Sequence, residues 1–168
     1  MRSMINSILR LAQFLLVLIA TALLGNVRAN SQHAAGSATT AINFSLFVCA
    51  LSWIAVIYSI IAHAVSAAAI PAIALALDGL AALFTFIGAV VLSAKLTTVN
   101  CAHYGTRPSD WIAFGSGDTE KRCREIQAGL VFVWFLFTTF AATVFFVFKE
   151  FRRSGGSVGR PSMSQIGV

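Results

Sequence analysis

Acids are scarce in this sequence, and scarcer still where it is apolar: of six aspartates and glutamates in 168 residues, Asp78 alone falls inside a long hydrophobic run. Charged residues make up 11% of the chain against 58% hydrophobic, too few to clothe a soluble core of this size. The chain belongs in a membrane. No nucleophile–base set, no Gly-rich phosphate loop ahead of a helix and no HExxH occurs, and His33, His63 and His103 stand apart from one another in the sequence. The expectation is a protein that is not an enzyme and uses no cofactor. A formal net charge of +6 would point to nucleic acid in a soluble protein, but Lys and Arg gather at the ends of apolar runs, as membrane flanks do. No nucleic-acid partner is expected.

What is present are four apolar runs, at residues 8–27, 42–64, 70–94 and 128–148, each near the ~20 residues that a helix needs to cross a bilayer. They predict an all-α membrane protein, a four-transmembrane-helix bundle occupying residues 1–153, with an outer loop at 95–127 and a tail at 154–168. The "HAVSAAAIP" between the second and third runs leaves room only for a tight helical hairpin, with Pro71 suited to the first turn of the third helix. Ala, Gly, Ser and Thr in the runs allow close helix approach, although no GxxxG falls within any of them. "MRSMINSILR" followed by "LAQFLLVLIATALLGN" also resembles a secretory signal. The orientation of the remaining spans is the same under either reading.

Basic residues do not choose that orientation, because the twelve Lys and Arg divide evenly between the termini and the two loops opposite them. Cysteine chemistry does. Cys101 and Cys123 bracket "CAHYGTRPSDWIAFGSGDTEKRC", and a disulfide there persists only in an oxidising compartment, which puts this loop outside and both termini in the cytosol. Such a bridge would tie the third helix to the fourth and stabilise by on the order of 3 kcal/mol. A zinc site built on Cys101, His103 and Cys123 competes poorly, for want of a CxxC or a fourth ligand. Within the loop, Trp111 to Phe114 either dip toward lipid headgroups or pack beneath the loop. Cys49 reads as a small buried apolar residue.

Asp78 lies about 12 Å into the third run, where a carboxylate costs roughly 2.5 to 3.5 kcal/mol at the centre of a spanning helix. Arg10 and Gln13 lie at comparable depth from the same end in the first run, so Asp78 is expected to pair with Arg10 or to hydrogen-bond Gln13. The competing assignment makes Asp78 the proton or cation site of a small transporter or channel. Neither a second intramembrane acid nor a Gly/Pro-interrupted pair of half-helices accompanies it. The fourth run carries many phenylalanines, of which Phe132, Phe135, Phe140, Phe145 and Phe146 are expected to face lipid. Lys149, Arg152 and Arg153 form a cytosolic basic anchor for anionic lipid, each contributing about 1 kcal/mol near the surface. Phosphate on tail serines such as Ser154 and Ser157 would oppose it. His63 reads as an interfacial histidine. The sequon at Asn43 sits too close to the membrane edge to carry a glycan.

The opening "INSILRLAQFLL", the third-run "ALDGLAALFTFIGAVVL", the loop ending "GDTEKRCREIQAGLVFVWF" and the tail "GGSVGRPSMSQIGV" together resemble the fungal non-classical export protein family, a branch of the MARVEL-domain membrane proteins. The likeness extends over essentially the whole chain. It implies a multi-pass plasma-membrane protein of the furrow-like microdomains organised by eisosomes, linked to sphingolipid-responsive signalling and to export without a signal peptide. The expected function is a non-catalytic organiser and sensor of a sphingolipid- or sterol-linked microdomain. Its expected partners are membrane lipids, further copies of itself and eisosome proteins.

Overall fold

In the computed structural model, residues 2–64, 71–97, 100–103, 105 and 107–153 are described. They form four helices: α1 (Arg2–Ala29), α2 (Gly36–Ala64), α3 (Pro71–Leu96) and α4 (Thr119–Arg153). Each contains a segment long and apolar enough to cross a membrane. Pro71 opens α3, where its missing N–H leaves no helical bond unmade. The hairpin at 65–70, the tail from 154 and the side chains of His63 and Arg153 lie outside the described residues.

The helices form a ring in which each packs on its neighbours in sequence and α4 closes back on α1, while the diagonal pairs make no close backbone approach. The interior is drawn from one stripe per helix. On α4 it runs through Ile126, Gly129, Val133, Leu136, Phe140 and Thr143, and on α1 through Gln13, Val17, Ala20, Leu24 and Val27. Alternating steps of three and four residues keep such a stripe on one face of a helix. Hydropathy hardly separates this stripe from the outer face, since Leu11, Phe47, Leu83 and Phe135 are all exposed on the perimeter. Residue size and polarity separate them better: α2 turns Ser45, Ser52 and Ser59 inward, each hydroxyl donating to the carbonyl four residues back. Gly88 of α3 approaches Val48 so closely that a Cβ there would touch it at 3.4 Å.

Helix α4 begins nine residues before the apolar run that marks it in the sequence (128 − 119). Its charged first turn is organised by Asp118, whose Oδ1 accepts the N–H of Lys121 at 3.0 Å, and by Glu120 at the favourable end of the helix dipole. At ~1.5 Å per residue its 35 residues are longer than a ~30 Å hydrocarbon core requires.

Phe140 corrects the sequence reading. It is fully buried, because it lies on the interior stripe between Leu136 and Thr143, whereas Phe135, Phe145 and Phe146 are exposed and Phe132 is half-buried against the core. The outer loop also differs from expectation, spanning only the residues between Leu96 and Thr119.

Candidate functional site

Two polar centres sit at opposite ends of the bundle. The first lies toward the end that holds the start of α1. Arg10 donates to both carboxylate oxygens of Asp78, at 2.7 and 2.5 Å, and through Nη1 also to Oε1 of Gln13 at 2.9 Å. Gln13 in turn donates to Oγ1 of Thr143 on α4 at 3.0 Å, and Thr143 to the carbonyl of Thr139. Asp78 is 1% exposed and Gln13 is fully buried. Gln13 therefore reaches Asp78 only through the shared guanidinium. Because α1 and α3 are diagonal partners, this fork crosses the middle of the ring, a span that a long arginine side chain can make and a lysine could not make bidentately.

The second centre is the loop end, where α1 and α3 both present C-terminal carbonyls. One loop side chain and one from the first turn of α4 satisfy them. The Trp111 indole donates to the carbonyl of Leu96 at 3.0 Å, and Arg122 donates through Nη1 to the carbonyl of Val27 at 3.0 Å and to the Ser31 hydroxyl at 2.6 Å. Nε of Arg122 reaches the carbonyl of Ile112, while its Nη2 is buried with no acceptor among the described residues. The Cys101–Cys123 disulfide closes this end over Ile112 and Ala113, both fully buried. With Cys101 and Cys123 bonded to each other, no thiolate pair is left there to hold zinc. Trp111 and Phe114 pack edge to face at 5.3 Å, with the Arg107 guanidinium over the indole. Packing beneath the loop, rather than insertion among headgroups, is the arrangement adopted by Trp111.

The loop is also stitched to the connection between α1 and α2, since the N–H groups of Gln32 and His33 both donate to the carbonyl of Gly115. Gly115 has φ of +96° and lies so near Ala34 that a Cβ would fall 2.4 Å from its Cα. Only glycine fits there.

Elsewhere Cys49 is buried and Lys149 and Arg152 are exposed, Arg152 lying over the Phe148 ring at 5.8 Å. Asn43 accepts a bond from Arg28, and the Ser45 hydroxyl of its sequon is buried against the Ala41 carbonyl. Arg122 is the residue that inspection of the sequence misses, one cation among several in "DTEKRCRE". A usable signal exists: stepping the α4 stripe back four residues from Ile126 lands on it.

Comparison with known proteins places this architecture. The MARVEL family, described as a membrane-associating domain, matches residues 3–146. The chain belongs to the MARVEL family. Within that family it is similar to Non-classical export protein 2 of Saccharomyces cerevisiae, 30% identical over 180 aligned residues that cover 99% of this chain and 100% of the yeast protein. No solved structure matches it. The MARVEL match runs from the start of α1 through the aromatic part of α4, so both polar centres lie inside the family's domain.

Proposed function

We propose that this MARVEL protein is a non-catalytic organiser and sensor of a sphingolipid- or sterol-linked domain of the plasma membrane, working through lipid contact and self-association, with its disulfide-clasped loop outside and both termini in the cytosol. One observation carries the reading: the intramembrane chemistry is turned inward and closed, while the perimeter offered to lipid is apolar and partly aromatic. Phe135, Phe145 and Phe146 lie 56%, 62% and 45% exposed on α4, against 1% for Asp78. Rigid rings on the outside of a bundle give it a surface that meets ordered and fluid lipid differently. The basic Lys149 and Arg152 at the other end favour anionic lipid on the cytosolic side.

A transporter centred on Asp78 draws less support, since both of its carboxylate oxygens are engaged by Arg10. Export without a signal peptide enters through the name of the yeast relative, and a role in retaining or recruiting export cargo would then fall to the tail. Eisosome proteins are the partners that the organiser reading implies.

The deciding measurement is the lateral distribution of the protein in a fungal plasma membrane, tagged so as to spare the tail, before and after sphingolipid synthesis is blocked. Stable patches that disperse on inhibition are expected. An even distribution that inhibition leaves unchanged would sink the organiser reading, and proton-coupled flux in reconstituted vesicles would put the transporter in its place.

A further inference from the structure

Arg122 is a buried cation that no carboxylate among the described residues hydrogen-bonds, Glu125 acting on it only through space. It is 2% exposed, its hydrogen bonds go to neutral oxygens, and its Nη2 has no acceptor among the described residues. The negative end of the α1 dipole at Val27 compensates part of the charge. A buried guanidinium with one orphan nitrogen remains costly, and an added anionic oxygen would recover that loss.

Space for such a group adjoins it. Arg122 forms part of the wall of a cleft of about 340 Å³ between the end of α1 and the start of α4, with Lys121, Asp118, Glu125 and Gly117. A neighbouring cleft of about 450 Å³ shares Lys121, Asp118 and Glu125 and reaches Leu23 and Ala128, which lie in the apolar segments of α1 and α4. The polar recess is thus joined to the surface that meets hydrocarbon.

The charges around it are sorted by the partners they already have. Glu120 is held by Arg124 on the exposed face at 2.6 Å, whereas the Lys121 ammonium makes no ion pair with any described residue. Glu125 accepts the Asn26 amide and Asp118 the backbone N–H of Lys121. Two cations and two carboxylates therefore share one recess. That is the charge pattern of a zwitterion.

We infer that this recess seats the headgroup of a zwitterionic phospholipid from the leaflet at the loop end. Its phosphate is taken by Arg122 and Lys121, its ammonium by Asp118 and Glu125, and its acyl chains leave past Leu23 and Ala128. The inference needs no assumption about which compartment the loop faces and does not rest on lateral organisation.

The test uses the purified full chain in detergent and native mass spectrometry, titrated with dihexanoyl-phosphatidylethanolamine, dihexanoylglycerol or free phosphoethanolamine. The phospholipid is expected to bind about tenfold more tightly than the diacylglycerol, as one charge-assisted contact set would give. Arg122 also caps α1, so its replacement would confound binding with folding. Gly117→Leu avoids this, because Gly117 lines the cleft and a Cβ there meets nothing within 4 Å, so bulk is added at the cleft wall without a clash at the Cβ. It should abolish the preference while leaving the disulfide and the melting temperature unchanged, and Lys121→Gln should weaken it about threefold. Equal binding of phospholipid and diacylglycerol, or a preference that survives Gly117→Leu, would overturn the inference. Phosphoethanolamine binding as tightly as the lipid would overturn the lipid as the source of the headgroup.

Discussion

At the scale of single residues, the aspartate within the membrane is stable because its charge is answered on both oxygens by one guanidinium. Removing either partner strands the other. Asp78→Ala should therefore destabilise by on the order of 3 kcal/mol, read as a lower melting temperature in detergent. The double replacement Arg10→Met with Asp78→Leu should recover most of that loss, because it leaves no charge to desolvate. A double replacement no better than Asp78→Ala would refute the pairing argument. Gly115→Ala should lose about 2 kcal/mol through its left-handed φ and the clash with Ala34, checked by thermal unfolding with the disulfide intact. These residues were unequally legible in the sequence. Arg10, Gln13 and Asp78 enter from the same end at similar depth, so span counting makes a contact of Asp78 with Arg10 or Gln13 foreseeable, and the choice of Arg10 comes from the structure. Arg122 was not foreseeable in this way, because a cation in a polar segment gives no sign of turning inward unless the interior stripe of α4 is extended past its apolar part. Phe140 was misread for the matching reason: aromatic composition says nothing about phase, and phase places it inside.

At the scale of elements, the apolar middles of the helices were legible and their ends were not. Hydropathy marks what lies in hydrocarbon, whereas the first turn of α4 is organised by the polar Asp118 and Glu120. The loop and the start of α4 together cap the bundle, Trp111 of the loop serving α3 and Arg122 of α4 serving α1. Replacing Cys101 and Cys123 by serine opens a link between residues 22 apart and should lower stability by about 3 kcal/mol on chain-entropy grounds. Limited proteolysis should then cut the loop near Ser109 first. Trp111→Phe keeps the ring but removes the bond to Leu96, and should lose about 1 kcal/mol in the same unfolding measurement.

At the scale of the whole molecule, the ring of four helices places the clasped loop at one end and Lys149 with Arg152 at the other. The proposed orientation can be read from the native lysines, since Lys121 and Lys149 are both exposed at opposite ends. A membrane-impermeant amine reagent applied to intact cells should modify Lys121 and spare Lys149, as seen by peptide mass spectrometry; the reverse pattern would invert the topology.

The diagonal course of the Arg10–Asp78 contact has a mechanical consequence. Four rods joined only along the sides of a square can shear into a rhombus without any side changing length, and a brace from corner to corner forbids that motion. In this bundle the sides are the packed neighbours and the brace is one ion pair, anchored to the α4 corner through Gln13 and Thr143. Severing it would free the cross-section to shear at the level of Asp78 while the disulfide-clasped end keeps its outline.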